Sequence, residues 1–404
     1  MAEHLTPQEK IALITSNLQE TLNPEIVEDV IIKQNRPLII YWGTAITGRP
    51  HCGYFVPMLK IAEFLKAGCT VKILLADIHG ILDNLKSPRE LVKHRTDYYR
   101  FVITELLKAV NVPVEQLQFS KGSDHELTPD YVMDLLAGAS LFKPAVFKKA
   151  AAEVVKNTEE APLSGLIYPL MQTLDEEYLG VDAQFGGVDQ RKIFALAKEV
   201  LPKLGYKERA HFMNPILPGL AGGKMSSSDP DSKIDLLDTE EVVRKKLNKA
   251  FTEPKKVEDN GLLSFVEYVL LPASALRREA PHFEVQRREG EPLVYHDIKK
   301  IHVDYEADIL TPQLLKSAVA SALVPLLQSI QAAFQASSEW QEIEKKAYPP
   351  PPLEEKKKKK QKDKGTGYPG VKKGVGNGRS GAEEGVDKLM AKMAIVAENN
   401  PPSS

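Results

Sequence analysis

Short apolar segments alternate with amphipathic segments through the first half of the chain. The apolar runs cover residues 38–41, 71–76 and 181–185, and the amphipathic stretches include residues 55–67, closed by Gly68, and residues 192–204. Short runs in which apolar residues predominate predict buried strands, whereas apolar positions that recur every three or four residues predict helices. The alternation therefore predicts a parallel α/β sheet over about residues 30–230, with a ligand at the carboxyl ends of its strands.

Four pairs of residues have the pattern of a helix start, in which a capping hydroxyl precedes proline. They are Thr6-Pro7, Ser87-Pro88, Thr128-Pro129 and Thr311-Pro312. The hydroxyl accepts from a free N–H of the first turn, and proline lacks the N–H that would have no partner there. Glu9 and Glu90 stand where a capping box places its acid, which strengthens the first two predictions.

The strand signal ends near residue 238. From there residues 242–250, 262–271 and 314–334 show helical patterning, and residues 349–352 are all proline. The Lys- and Gly-rich residues that follow have little to bury, so we expect them to be disordered. The predicted organisation is an N-terminal helix with an α/β domain at 1–238, a mainly helical domain at 239–348 and a disordered basic tail at 349–404.

Composition narrows the class of protein. The chain has 404 residues and a formal net charge of -2, so a polyanion would have to bind to a local basic cluster. Two cysteines, Cys52 and Cys69, cannot build a disulfide framework, and no Cys/His spacing indicates zinc; a reducing compartment fits. We expect neither a targeting segment at the N-terminus nor a membrane span, because no run of about eighteen apolar residues occurs.

The strongest local motif is Lys224-Met225-Ser226-Ser227-Ser228, preceded by Gly222-Gly223. Glycines make such a loop mobile, lysine supplies a point charge, and serines with their backbone amides can donate to phosphate oxygens. A serine-rich loop with one lysine is also a common solvated linker, so both readings stay open for this motif alone.

A second motif lies at the end of the first predicted strand. Tyr41-Trp42-Gly43-Thr44 leads through a turn to His51-Cys52-Gly53-Tyr54, and the next helix is predicted to start close to Gly53. A strand, a Gly-rich turn and a helix N-terminus together present free N–H groups to an anion, as nucleotide sites require. A histidine at a helix start is also often only a cap or a surface residue.

A third group of polar residues lies between positions 168 and 175. If Pro169 opens a helix, Tyr168, Gln172 and Asp175 are spaced by four and three residues and share one face. The alternative is a solvated helix side, which Asp175, Glu176 and Glu177 would also fit.

The first two motifs together resemble the HIGH and KMSKS signatures of class I aminoacyl-tRNA synthetases. Four longer segments look like tyrosyl-tRNA synthetases of the eukaryotic cytoplasmic type: YWGTAITGRPHCGYFVPMLKIAEFLKAG, LLADIHGILDN, SGLIYPLMQTLDEEYLGVDAQFGGVDQRKIF and MNPILPGLAGGKMSSSDPDSKIDLLD. The similarity runs over residues 8–348, and the tail is similar to that of fungal members. The resemblance implies a Rossmann-like catalytic domain, a helical anticodon-binding domain and the joining of L-tyrosine to tRNA(Tyr) with ATP.

The resemblance also implies roles for individual residues. Tyr41 and Asp175 would hold the substrate phenol, and Tyr168, Gln172 and Gln190 would position its ammonium and ring. His51, Lys224, Ser226 and Ser228 would carry the chemistry at the phosphates, with Mg²⁺ on the ATP and no prosthetic group or protein-bound metal. The ATP site would comprise Gly43, Thr44, His51, Gly53, Gly187, Asp189, Lys224, Met225, Ser226, Ser227 and Ser228. His79 would line the same cavity or serve only as a structural histidine.

Three departures from the family pattern qualify these expectations. Ser227 stands where the class signature has a second lysine, and Lys233 or a monovalent cation would supply the missing charge. Residues 135–147, in the part through which family members form homodimers, carry an unexpected Pro144. Glu126 replaces an expected glutamine near the pocket.

Partners and rival functions complete the sequence-based predictions. We expect a cytoplasmic homodimer, with residues 356–360 in the tail serving as tRNA phosphate contacts, as a solubilising segment or as a nuclear-targeting run. The rivals are a tryptophanyl-tRNA synthetase, another nucleotidylyltransferase and a non-enzymatic RNA-binding or signalling protein.

Overall fold

The fold is built on a six-stranded sheet. The computed structural model describes residues 5–83, 87–114, 117–154, 162–220, 233–278 and 280–350. The strands are β1 (Glu20–Leu22), β2 (Ile39–Ala45), β3 (Thr70–Ala76), β4 (Gln118–Lys121), β5 (Ala183–Gly187) and β6 (Ala210–Asn214). They lie in the order β1-β6-β5-β2-β3-β4, with β1 antiparallel to β6 and every other pair parallel. The predicted parallel α/β sheet is confirmed.

Nine helices accompany the described strands of this sheet. They are α1 (Pro7–Thr15), α2 (Pro24–Glu28), α3 (Phe55–Lys66), α4 (Asp77–Leu82), α5 (Arg89–Ala109), α6 (Pro129–Leu141), α7 (Pro144–Ala151), α8 (Leu163–Tyr178) and α9 (Arg191–Lys203). Gly68 follows α3 with φ +83°, a conformation that glycine adopts without a steric penalty. Lys60 of α3 joins α1 to the domain, since its ammonium donates to the backbone oxygens of Leu13 at 2.9 Å and Ser16 at 2.6 Å.

The strands bury both faces, as parallel sheets covered by helices do. On β3 the side chains of Val71, Ile73 and Leu75 join the main core, whereas Leu74 packs with Tyr41 in a separate cluster on the opposite face. The direction of the strand order changes between β2 and β5. Beyond β2 lies β3, which follows it in the chain, and on the other side β6 lies beyond β5. A crevice forms at such a point, beyond the carboxyl ends of the strands.

A helix begins as predicted at three of the four pairs, and the hydroxyl caps it at two of them. Thr6 forms the capping box with Glu9, and Thr311 accepts from the N–H of Leu314. The prediction was wrong at Ser87, because α5 begins after Pro88 and the Ser87 hydroxyl donates to the Ile46 oxygen at 2.5 Å. At Thr128 a helix does begin with Pro129, but the hydroxyl donates backwards to the His125 oxygen. Both hydroxyls thus satisfy tertiary or turn contacts that local sequence does not reveal.

The later part of the chain is mainly helical, as predicted. Its helices are α10 (Glu240–Lys249), α11 (Gly261–Phe265), α12 (Leu271–Arg278), α13 (Ile298–Glu306), α14 (Pro312–Ala336) and α15 (Ser338–Ala347). A two-stranded hairpin of β7 (Phe283–Val285) and β8 (Leu293–Tyr295) was missed. Its strands are too short for an alternating pattern to stand out from a loop.

Helix α14 corrects the expectation that no segment could span a membrane. By length and hydropathy alone, this helix would pass as a candidate span. Leu315, Val319, Leu323, Leu327 and Ile330 on its apolar face are nevertheless buried in the main core. We therefore interpret it as a core helix, which meets the same criteria.

All described residues belong to one compact unit that ends at Pro350. The predicted division at residue 238 stays a prediction, and the tail lies outside the described residues.

Candidate functional site

A cavity of about 700 Å³ opens at the carboxyl ends of β2 and β5. Residues that the sequence predicts from four separate segments line it together: Tyr41, Gly43, Thr44, His51, Gly53, His79, Tyr168, Gln172, Asp175, Gly187, Asp189 and Gln190. The predicted loop residues Lys224, Met225, Ser226, Ser227 and Ser228 lie outside the described residues. The cavity therefore unites every predicted site residue that the structure describes.

His51 occupies one end of the cavity, where β2 passes into α3. Its Nδ1 accepts from the N–H of Gly53 at 3.2 Å, so in the neutral ring Nε2 carries the proton. Burial, together with the charge of Lys233, lowers the pKa of His51 to about 4. The imidazole is thus a neutral donor at neutral pH.

The segment that begins at Lys233 is joined to this end. The N–H of Cys52 donates to the Ile234 oxygen at 3.0 Å, and His51 forms an isolated bridge with Asp235. Lys233 is buried, and its ammonium donates to the Arg49 oxygen at 3.2 Å. A positive charge therefore stands next to His51.

Tyr54 makes this end rigid. Its hydroxyl lies 3.1 Å from that of Thr44, and its ring packs edge-on against His51 and Trp42. Tyr54 thus supports the neighbouring histidine through aromatic contacts.

Helix α8 supplies the middle of the cavity. The prediction that Pro169 opens this helix was wrong, because the helix begins six residues earlier at Leu163 and the proline lies inside it. Tyr168, Gln172 and Asp175 still share a face, since the helical period is unchanged across the proline. The alternative of a solvated side is wrong as well, because Asp175 and Glu176 are both 0% exposed.

Asp175 lies at the opposite end from His51, with one oxygen engaged. Its Oδ1 accepts from His125 Nε2 and from the Tyr131 hydroxyl, each at 3.0 Å. Its Oδ2 has no hydrogen-bond partner among the described residues. A buried carboxylate with one free oxygen favours a ligand that donates a hydroxyl.

Tyr41 and two glutamines complete the polar wall near Asp175. The Tyr41 hydroxyl donates to the backbone carbonyl oxygen of Gln172 at 3.2 Å, and the Gln172 side-chain Nε2 donates to Gln190 Oε1 at 3.1 Å. Burial, together with the charge of Asp175, raises the pKa of Tyr41 well above its usual value, which keeps the hydroxyl protonated.

Beneath Asp175 lie His79 and Glu126, which are 2% and 2% exposed. His79 Nδ1 is 3.3 Å from Glu126 Oε1, and one ligating atom of each of His79, Glu126 and Asp175 lies within 4.8 Å of the others. A trio of this spacing could hold a metal ion or a shared proton. We name these three residues the floor cluster.

Sequence reasoning missed several residues that build this site. His125 and Tyr131 hold Asp175, and Gln184 and Asn214 line the cavity from β5 and β6. Polar side chains inside otherwise apolar strands were the available signal for the last two. No sequence pattern connects the first two with Asp175.

The divergent segment at residues 135–147 has a simple structure. Helix α6 ends at Leu141, and Pro144 is the first residue of α7, a position where proline is favoured. The apolar residues Leu127, Met133, Leu136 and Leu163 near this segment are between 59% and 70% exposed. Several large apolar side chains exposed in one part of a chain are typical of an interaction surface.

The two cysteines behave as expected. Cys52 and Cys69 are both buried and form no disulfide. Burial raises the pKa of each thiol to about 12, so neither is a nucleophile.

Comparisons with known proteins agree with this geometry. Residues 33–328 match the family model for class I tRNA synthetases (W and Y). The chain is 53% identical to the cytoplasmic tyrosine--tRNA ligase of Saccharomyces cerevisiae over 92% of this chain and 96% of that one. It is 50% identical to the Danio rerio cytoplasmic tyrosine--tRNA ligase, of which it spans 65%.

Solved structures give the same result. A tyrosyl-tRNA synthetase complexed with L-tyrosine from Archaeoglobus fulgidus matches with a TM-score of 0.74 and 34% identity, covering 81% of this chain and 99% of that one. The corresponding Pyrococcus horikoshii complex matches with a TM-score of 0.78 and 26% identity, covering 84% and 99%.

Proposed function

The chain belongs to the class I tRNA synthetases for tryptophan and tyrosine, and from this premise we infer that it is a tyrosine–tRNA ligase. It activates L-tyrosine with ATP to tyrosyl-adenylate and pyrophosphate, and then transfers the tyrosyl group to the 3′-terminal ribose of tRNA(Tyr). The observation that carries the amino-acid assignment is the free oxygen of buried Asp175 inside the cavity. Tyrosine has a hydroxyl to donate at the end of its ring, whereas phenylalanine would leave that oxygen without a donor.

Tyr41 and Asp175 would hold the phenol at the far end of the cavity. Asp175 accepts the substrate hydroxyl on Oδ2, while Tyr41, protonated and buried, offers its own hydroxyl beside it. Tyr168, Gln172 and Gln190 would orient the ring and the ammonium. A site built to bond a hydroxyl rejects phenylalanine strongly, and a discrimination of about 10⁵ is already established for tyrosyl-tRNA synthetases.

The chemistry at the phosphates rests on positioning and charge. The tyrosine carboxylate is already a nucleophile at neutral pH, so its attack on the α-phosphate needs no general base. His51 Nε2–H and the N-terminal turn of α3 would donate to the phosphates, with Gly43, Thr44 and Gly53 allowing close approach. Gly187 and Asp189 would hold the ribose of ATP.

Two positive groups would complete the phosphate end. Lys224, with Met225 and the serines at 226–228, would close over the leaving pyrophosphate, and Lys233 would supply the charge that Ser227 does not. Magnesium bound with ATP would neutralise phosphate charge. The one potential metal-ligand cluster among the described residues is the floor cluster, which includes Asp175.

The direct test is ATP–pyrophosphate exchange with each proteinogenic amino acid. We expect exchange with tyrosine alone. Exchange with tryptophan, or with no amino acid, would contradict the proposal. Lys224→Ala should reduce the exchange rate by about 10²–10³ with an unchanged tyrosine KM, because its contacts form in the transition state.

The exposed apolar side chains of Leu127, Met133, Leu136 and Leu163 support a homodimer. Replacing Leu136 with glutamate should place a charge in the contact and shift the protein to monomers in sedimentation experiments. The exposed Val303→Glu substitution on α13 serves as the matched control. A monomeric wild-type protein would refute the assembly.

For location and the tail, we propose a cytoplasmic enzyme with a nuclear pool directed by the Lys-rich residues. Deleting residues 354–404 should flatten the salt dependence of the tRNA KM if the tail contacts phosphates. An unchanged salt slope, with loss of the nuclear fraction in cells, would assign the tail to targeting alone.

A further inference from the structure

The floor cluster contains more charge than tyrosine recognition by Asp175 requires. Glu126 does not line the cavity, yet both its oxygens and both ring nitrogens of His79 are buried without hydrogen-bond geometry to any described residue. Unpaired buried polar atoms are costly, so a group of them next to a ligand site needs a reason. Glu126 therefore requires an explanation.

Each carboxylate of the floor has its own histidine. Asp175 is bonded by His125 at 3.0 Å, and Glu126 faces His79 at 3.3 Å. Burial lowers the pKa of His79, but the charges of Glu126 and Asp175 outweigh it and raise that pKa to about 9. Burial, with the charge of Asp175, raises the pKa of Glu126.

His79 is the group that could compete with a substrate for Asp175. Its ring is fixed edge-on against Tyr168 at 4.5 Å, and a ring nitrogen lies within 4.8 Å of an Asp175 oxygen. A charged imidazole is drawn towards a neighbouring carboxylate, and Glu126 provides one that does not line the cavity.

We propose that Glu126 is a positioning residue for tyrosine recognition: it holds His79 on its own carboxylate and keeps the second oxygen of Asp175 free for the substrate hydroxyl. This inference rests on the proposed function of the cavity. The titratable groups that face Glu126 and His79 from the surrounding elements are Tyr41, Asp77, His125, Tyr131, Tyr168 and Asp175.

The test compares Glu126→Gln with wild type in tyrosine-dependent pyrophosphate exchange. Glutamine keeps an acceptor oxygen but removes the Glu126 charge, so charged His79 is drawn to Asp175 and occupies Oδ2; the tyrosine KM should therefore rise about tenfold while kcat changes little. Glu126→Asp retains the charge and should rescue KM to within about threefold of wild type.

The pH profile separates positioning from a purely structural role. The ratio of the E126Q KM to the wild-type KM does not depend on the titration of tyrosine itself, which is common to both. This ratio should fall as pH rises through about 9, where wild-type His79 also loses its charge. A structural role would lower thermal stability and leave this ratio independent of pH. The E126Q defect should also be smaller in an E126Q/H79N double variant, because the competing imidazole is absent.

Glu176→Gln is the matched control. Glu176 is equally buried on α8 and bonded to His211 at 2.8 Å, but it does not line the cavity. This substitution should leave the tyrosine KM within about twofold of wild type, because neither Glu176 nor its partner His211 lines the cavity.

Different failures have different meanings. An active wild type with an indistinguishable E126Q variant overturns this inference and leaves the proposed function intact. A wild type without tyrosine-dependent exchange overturns the proposed function, and the inference falls with it. Inhibition by zinc that tyrosine relieves and E126Q abolishes would assign the floor cluster to metal binding and would also overturn the proposal.

Discussion

The two ends of the cavity hold histidines in opposite protonation states. At the His51 end, burial and the charge of Lys233 lower the pKa of His51 to about 4. At the floor, the charges of Glu126 and Asp175 overcome burial and raise the pKa of His79 to about 9. The same side chain is therefore neutral where an anion is expected and charged where carboxylates are concentrated.

Because of this difference, the two ends of one cavity suit chemically different groups. Next to His51 the protein supplies positive charge and N–H donors, which suit phosphate oxygens. Next to His79 it supplies carboxylates, which suit a hydroxyl. Substitutions that each remove one element of this contrast should therefore affect different steps.

The largest expected effect is at Asp175. Asp175→Asn removes the free carboxylate oxygen or replaces it with a donor, so kcat/KM for tyrosine should fall about 10³-fold and the preference over phenylalanine should largely disappear. Pyrophosphate exchange with both amino acids measures this. Asp134→Asn is the control, since Asp134 also accepts from tyrosine hydroxyls, at 2.7 Å from Tyr178 and 2.5 Å from Tyr206, away from the cavity. An undiminished tyrosine preference in D175N would refute the pocket assignment.

His51 comes next. His51→Asn should reduce kcat for exchange about 10²-fold and change the tyrosine KM little, because the lost donor acts on the phosphates. The H51N to wild-type ratio of kcat should stay constant between about pH 6 and 8, since neutral His51 does not titrate there. A ratio that changes through this range would show that His51 is a titrating acid. His296→Asn, at an exposed histidine, is the control.

Lys233 should have a smaller effect. Lys233→Met removes the charge beside His51 and should lower kcat about tenfold while raising the pKa of His51 towards 6.5, its ordinary value. NMR titration of the imidazole measures the second effect. Lys316→Met is the control, because Lys316 also donates to a backbone oxygen, that of Asn248 at 3.1 Å. An unaltered His51 titration in K233M would exclude the coupling.

The smallest effects concern stability against pH. Unfolded histidine binds a proton near 6.5, whereas folded His51 binds one near 4, so stability falls as pH decreases between these values. His79 acts in the opposite sense, and its contribution is present below pH 6.5 and lost as pH rises through about 9. Denaturant unfolding at a series of pH values measures this. The free energy of unfolding should depend less steeply on pH in H51N on the acid side and in H79N on the alkaline side, by up to about 1.36 kcal/mol per pH unit. Unchanged slopes would refute the opposite protonation of the two ends.

Sequence by itself determined the elements and the chemical inventory of this protein. Apolar runs and helical periodicity predicted β2, β3, β5, α3 and α9, because those signals are local. The spacing from Tyr168 to Asp175 placed three polar side chains on one face, and that held although Pro169 lies within α8. Motif resemblance selected the residues that line the cavity.

The tertiary structure alone decided what those side chains experience. His125 and Tyr131 reach Asp175 from positions 50 and 44 residues away, and no local pattern records such contacts. Whether Ser87 caps a helix or bonds Ile46 likewise depended on a distant backbone oxygen. The opposite pKa shifts of His51 and His79 follow from burial and from charges that folding brings close. Neither cause can be inferred from the order of residues along the chain.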